Sequence, residues 1–262
     1  MSKLSPEDKF IDVSDYGRPL AVVIANKLKN TSATPVHVTL LFGVCGLVAI
    51  ASMLQGYYIL AGILLILKSV LDAADGELAR MKRIPSYTGR YLDSVFDIIL
   101  NLLILLTIWH ITEFSIWMTL LAFACLQLQG TLYNYYYVIL RHHSANGDRT
   151  SKIFENERPV AYKRESQKTV NVLYMLYILF YSVYDRIIYK LDHNAPDVKR
   201  FPNWFMTLIS IYGLGFQLLI ISVMLATGWI DYIIPFFISY SIFILLFIAT
   251  RKLFLAEELK QA

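Results

Sequence analysis

Four carboxylates standing where two long apolar runs meet constrain this chain more than anything else in it: Asp72, Asp75, Asp93 and Asp97. The gaps between them are three, eighteen and four residues, so helical spacing puts Asp72 and Asp75 on one face and Asp93 and Asp97 on another. Pro85, Ser86 and Gly89 lie between the pairs and supply a turn, which lets the two helices fold back antiparallel. Acids converging between membrane helices repel one another unless cations share them. The stretch therefore reads as a metal site.

That argument needs the flanking runs to be membrane helices, and composition supports this. The chain is 56% hydrophobic and 17% charged with mean hydropathy +0.51, more apolar and less charged than an ordinary soluble domain. A large soluble core is a poor account of so many repeated apolar runs. The net charge of +4 fits Lys and Arg flanking membrane spans and gives no nucleic-acid surface. Cys45 and Cys125 fall inside apolar runs and imply neither a disulfide framework nor a zinc site. No signal peptide is expected, because the first thirty residues mix charges and lack an uninterrupted apolar core.

Residues 1–35 carry Lys3, Lys9, Arg18, Lys27 and Lys29 against Glu7, Asp8, Asp12 and Asp15. From Pro19 onward, Leu20, Val23, Ile24 and Leu28 share a helical face, which fits a helix lying on the membrane surface or a solvated amphipathic one. Thr34-Pro35 caps and opens the next helix. Residues 36–54 form the first span and Gln55-Gly56 a tight turn. The run 57–71 has fifteen residues, short for a bilayer of roughly 30 Å, so its helix continues into the acids and brings Asp72 and Asp75 to the membrane edge. Lys68, one turn earlier, pairs with Asp72 or snorkels. Residues 91–112 and 114–140 are the third and fourth spans. Asn101 extends the face of Asp93 and Asp97, either behind the acids or in a helix–helix hydrogen bond. Gln127, Gln129, Thr131 and Asn134, with Tyr133 and the tyrosines at 135–137, either ring the interface or face the acids.

Residues 141–168 hold Arg141, Arg149, Lys152, Arg158, Lys163, Arg164 and Lys168 against Asp148, Glu155, Glu157 and Glu165, a net +3 that fixes topology and can also receive an anionic group. The run 169–190 is apolar but carries a stripe of Tyr174, Tyr177, Tyr181 and Tyr184, then Asp185, Arg186 and Lys190. If it spanned, Lys199-Arg200 and Arg251-Lys252 would lie outside. If it lies in the interface or dips in and returns, every basic cluster shares one side, and that reading is preferred. Residues 205–226 and 230–248 complete an all-α, polytopic membrane helix bundle of about six transmembrane helices with an N-terminal interfacial helix. The organisation expected is a juxtamembrane segment 1–35, a membrane domain 36–252 with a cytoplasmic or interfacial insertion at 141–203, and a cytoplasmic tail 253–262.

Hard cations such as Mg²⁺ or Mn²⁺ take oxygen ligands and bind phosphate oxygens. Four carboxylates from facing helices can hold two such ions, and paired metals stabilise charge on both sides of a phosphoryl displacement. A carboxylate left partly free can take the proton of an attacking hydroxyl. Gly76 and Ala79 are small where a nucleotide would pack, and Arg80 offers a fork to phosphate.

From Asp72 to Asp97 the residues match the pattern D-x2-D-G-x2-A-R-x8-G-x3-D-x3-D at every fixed position, and in this the chain resembles the CDP-alcohol phosphatidyltransferase family. The resemblance in residues covers roughly a tenth of the chain. It implies Asp72, Asp75 and Asp93 as metal ligands, Asp97 as ligand and general base, and Gly76, Ala79, Arg80 and Gly89 in a pocket for CDP. It also implies two divalent ions, six spans, a homodimer, and a site open to the cytoplasm where CMP is displaced from a CDP-linked donor by an acceptor alcohol. A further family feature, Pro-Asn-x-x-Thr at the opening of the first span, reads here Pro35-Val36-His37-Val38-Thr39. Proline and threonine match and Val36 replaces the asparagine, leaving Thr39 as a pocket candidate.

The donor implied is CDP-diacylglycerol, with transfer of a choline- or ethanolamine-type head group to a lipid alcohol as the alternative. Arg141, Arg149 and Arg164 would suit a phosphate-bearing acceptor, although positive-inside topology explains the same charges. A cation transporter would spread its acids and broken helices through mid-span, whereas these acids cluster at one edge. A catalytically silent scaffold has no use for an intact motif.

Overall fold

The computed structural model describes residues 4–144, 152–155, 157–198 and 200–258. Asp148, Arg149, Lys199 and the last four residues of the expected tail lie outside the described residues. Among the described residues every regular element is helical. Helix α1 (Arg18–Leu28) is followed by α2 (Pro35–Leu54), α3 (Tyr58–Lys82), α4 (Tyr87–Ile111), α5 (Ile116–His143) and α6 (Gln167–Leu191). Then come α7 (Asn203–Ile209), α8 (Leu214–Ala226), α9 (Ile233–Tyr240) and α10 (Ile242–Glu258).

Helix α2 begins where its caps dictate. The His37 N–H donates to Thr34 Oγ1 at 3.3 Å and the Thr34 N–H donates to His37 Nδ1 at 3.2 Å, with Pro35 in the first turn. Gly56, at φ 79°, reverses the chain as expected from the sequence. Helix α3 then runs antiparallel to α2, with Cys45 against the Leu64 carbonyl near one end and Thr39 against Asp75 near the other. One end of the bundle is sealed by an apolar core that includes Met53, Leu65, Leu105, Ile108, Leu126 and Phe237. The acids therefore open towards the opposite end.

Among the described residues, five helical runs are long and apolar enough to cross a membrane: α2, α4, α5, α6 and residues 230–253. The bent pair α7–α8 makes six. Helix α3 is 25 residues long but carries Lys68, Asp72 and Asp75 in its apolar part. It is nonetheless central to the bundle, with Ala61, Leu65, Leu71 and Leu78 all buried.

Helix α6 corrects one expectation. It is unbroken for 25 residues, so residues 169–190 do not dip in and return. It is also long and apolar enough to span, yet its contacts run across the bundle. Tyr174 meets the Tyr91 ring edge-on and Tyr177 meets it at a tilt, and the Tyr181 hydroxyl donates to the Ser94 carbonyl at 2.8 Å, only three residues further along α4. At the far end, the hydroxyls of Tyr135 and Tyr136 donate to the Asp192 carbonyl and carboxylate at 2.8 and 2.7 Å. Arg251 pairs with the same carboxylate, and Lys252 donates to the Leu191 carbonyl at 2.8 Å. The contacts of α6 thus run from α4 towards one end to α5 and α10 at the other.

The fifth span is not one straight helix. It bends by 50° at Gly213. The cause is the N-terminal turn Val13–Asp15, whose Ser14 lies so close to Gly213 and Gly215 that neither could carry a Cβ without displacing it. The Val13 N–H donates to Ser210 Oγ at 3.0 Å and ties the turn to the bend. Helix α1 packs on α3 through Ala21 and Ala25, while Leu20 and Val23 stay exposed. Its packing face is therefore offset from the leucine face expected, and the exposed residues give it the apolar outer edge of an interfacial helix.

Candidate active site

Antiparallel packing of α3 on α4 places the two acid pairs opposite each other. One carboxylate oxygen from each of Asp72, Asp75 and Asp93 lies within 4.8 Å of the others. Asp75 is buried, and its Oδ2 accepts a 2.5 Å hydrogen bond from Thr39 Oγ1, itself buried. Thr39 thus acts from beneath the acids and is not part of the cavity wall. Asp93 Oδ1 is buried and takes no hydrogen bond among the described residues. Three carboxylates turned together, one with an orphaned oxygen, form the donor set that a hard divalent cation completes.

Asp97 stands apart from this trio because Lys68 holds it. The Lys68 ammonium is 1% exposed, donates to Asp97 Oδ1, and lies 3.7 Å from Asp72 Oδ2 and 4.7 Å from the centre of the Phe42 ring. It does not snorkel; it pairs with Asp72, one of the two options read from spacing, and more closely with Asp97. The i, i+4 relation was visible in the sequence, but the closer partner sits on another helix, which single-helix spacing does not reveal.

These groups line one side of a cavity of about 430 Å³. Gly76 and Arg80 are in its wall, and Ala79 and Gly89 are not. A Cβ on Gly76 would meet only the Arg80 guanidinium at 3.5 Å, an ordinary contact, so protein packing does not require glycine there. Arg80 Nη2 is 2.9 Å from Glu77, and its buried Nε has no hydrogen bond among the described residues. Glu77 also accepts from Arg18, which pairs in turn with Asp15. Ala79 lends its carbonyl to the N–H of Ile84 at the end of α3. Gly89 donates its N–H to Ser86 Oγ at 2.8 Å at the start of α4.

The opposite walls are where sequence reasoning fell short. Asp12, Ser14, Asp15 and Arg18 reach the cavity because the N-terminal turn fills the bend of α7–α8. Tyr177, Tyr181 and Asp185 reach it from α6, which packs on α4. The tyrosine stripe was the available signal, but nothing local told which way it faced. The polar residues of α5 divide: Gln127, Thr131 and Asn134 line the cavity, while Gln129 donates to the Phe237 carbonyl and Ser241 Oγ at 2.9 and 2.8 Å. Asn101 lines the cavity as well. Of the arginines considered for a phosphate, Arg141 lines the cavity near Tyr137, Arg164 is exposed away from it, and Arg149 lies outside the described residues.

A carboxylate from the basic loop fixes the start of α4. Glu165 accepts from Ser86 Oγ at 2.7 Å and from the N–H groups of Thr88 and Tyr162 at 2.8 and 3.2 Å. Burial pushes its carboxyl up, but the hydrogen bonds from Ser86 and Thr88 outweigh this and hold it below the ordinary glutamate value. A carboxyl lowered in the folded state stabilises fully above its unfolded pKa, and that contribution is lost as pH falls through the folded one. Glu165→Gln should therefore cost about 1 kcal/mol at neutral pH, the scale of a lost helix cap. Thermal unfolding in detergent should show the gap closing as the pH is lowered below the glutamate range. A gap independent of pH would show that the charge is not what caps α4.

A family model described as CDP-alcohol phosphatidyltransferase matches residues 32–214. The matched region takes in all four acids and the walls supplied by α5 and α6, and leaves out the N-terminal turn, Arg18, Gly215 and Gln217. Among curated proteins none matches the chain.

Proposed function

The chain belongs to the CDP-alcohol phosphatidyltransferase family, and on that premise we propose that it moves the phosphatidyl group of CDP-diacylglycerol to the hydroxyl of an acceptor alcohol, releasing CMP. Transfer of a phosphatidyl group from a CDP-alcohol comes with the family. The diacyl donor is favoured by the exposed Leu20 and Val23 of α1, the helix whose Arg18 reaches the cavity wall, because they offer lipid tails a surface.

The observation that carries the reading is the trio of Asp72, Asp75 and Asp93 beside a separately held Asp97. The trio would hold Mg²⁺ or Mn²⁺, with Asp97 completing the ligands of a second ion, and the cations would offset the charge that builds on the phosphates during displacement. Arg80 turns its unpartnered Nε to a diphosphate oxygen, and the bare backbone of Gly76 leaves room for the nucleotide. Ala79 and Gly89 serve that pocket from behind, through the helix ends they secure. Asp97 takes the proton of the acceptor hydroxyl as its oxygen bonds to the lipid-bearing phosphorus; the bond to CMP breaks and CMP leaves with its electrons. Lys68 keeps Asp97 aimed for this step, and Thr39 does the same for Asp75.

The reading also includes a homodimer and a cavity open to the cytoplasm, the side to which positive-inside topology assigns the basic clusters. Purified protein in lipid nanodiscs should release CMP from CDP-diacylglycerol in the presence of an acceptor. Release should stop with EDTA and return with Mg²⁺ or Mn²⁺. Absence of CDP-diacylglycerol binding, together with intact lipid synthesis by Asp97→Asn, would overturn the proposal. Phospholipid formed only from CDP-choline or CDP-ethanolamine and diacylglycerol would replace it with head-group transfer.

A further inference from the structure

The wall of the cavity facing away from Gly76 and Arg80 is built from uncharged hydrogen-bonding groups around one carboxylate. On α5, Gln127, Thr131 and Asn134 recur at i, i+4 and i+7 and so share a face. On α6, Tyr177 and Tyr181 stack with ring centres 5.0 Å apart, and Asp185 follows one turn later. Two of these groups lack partners. Gln127 is only 6% exposed, yet its buried Nε2 has no hydrogen bond among the described residues. Asp185 has no ion pair or hydrogen bond among them either, and the transfer chemistry above makes no use of it. A buried amide donor and a carboxylate acceptor on one wall call for a ligand that both accepts and donates.

Resting on the proposed transfer, we infer that this wall is the acceptor subsite and that the acceptor is an uncharged polyhydroxy alcohol. A hydroxyl accepts from Gln127 Nε2 and another donates to Asp185, while Thr131 and Asn134 can serve further hydroxyls and the tyrosine faces pack against the carbon skeleton. A phosphate monoester fits poorly, because its charge would meet Asp185. Arg141 on α5 lies seven residues beyond Asn134, about 10 Å further along the helix. An amino alcohol would pair its ammonium with Asp185 and bring fewer hydroxyls to Gln127, Thr131 and Asn134.

The test uses the full chain in nanodiscs with CDP-diacylglycerol and Mn²⁺, and offers glycerol, inositol, their phosphate monoesters, serine and ethanolamine in turn. Product lipids are identified by mass, and CDP-diacylglycerol binding is measured separately. An uncharged polyol should be the best acceptor, and Asp185→Asn should raise its KM about 10- to 100-fold, the worth of a hydrogen bond to a charged group, with a much smaller change in kcat. Gln127→Met should act in the same direction, which covers the case where the Asp185 variant does not fold. Preference for a phosphate monoester or an amino alcohol, or an unchanged KM in folded variants, would overturn the inference. If CDP-diacylglycerol does not bind at all, the underlying transfer reading falls instead. Binding without polyol transfer sinks only the acceptor assignment.

Discussion

Asp93→Asn should reduce CMP release about a thousandfold while leaving the unliganded protein as stable as the parent or slightly more so. The activity arm follows from charge. Divalent-ion stabilisation of a phosphoryl transition state is worth several kcal/mol, and about 1.4 kcal/mol is a factor of ten. The Asp93 Oδ1 oxygen is buried and takes no hydrogen bond among the described residues, so replacing it breaks none there. The stability arm follows from the same crowding, since an amide removes one like charge from beside Asp72 and Asp75. A third readout separates a ligand from a merely structural acid. Mg²⁺ or Mn²⁺ should raise the Tm of the parent by binding the folded state, and should raise that of the variant far less. A variant that keeps its activity and its metal-dependent Tm shift would remove Asp93 from the site.

The acids were legible because their signal is local. Spacings of three and four residues on helices, with a turn between, fix which faces meet, and the structure joins Asp72, Asp75 and Asp93 accordingly. The walls were not legible, because their geometry depends on elements far apart in sequence. Ser14 reaches the site only because Gly213 and Gly215, some two hundred residues away, let its turn press into a bend. Asp185 reaches it because Tyr181 bonds to the backbone of α4 and Asp192 to the tyrosines of α5, which sets α6 across the bundle. Hydropathy sees α6 as a candidate span and α3 as too charged to be one. In the fold the charges of α3 are turned inward, while α6 shows Met175 and Leu179 outward.

Lys68→Met should be the most destabilising single change near the site. Methionine matches the length of the lysine stem but leaves Asp97, 14% exposed at the cavity wall, with no cation, and loss of one partner of a largely buried pair costs about 3 kcal/mol. Removing both partners should cost less than removing Lys68 alone, because the penalty lies in the orphaned charge and not in the missing contact. Lys68→Met combined with Asp97→Asn should therefore recover much of the lost Tm while remaining inactive, since the proton acceptor is gone. Added Mn²⁺ should also restore part of the stability of Lys68→Met, because a divalent ion can neutralise Asp97 and Asp72 in place of the ammonium. Unfolding with and without Mn²⁺, together with CMP release, reads all four proteins of the cycle. If the double variant is less stable than Lys68→Met, the lysine acts through its packing on Phe42, 4.7 Å from the ring centre, and not as the counter-ion that keeps Asp97 charged.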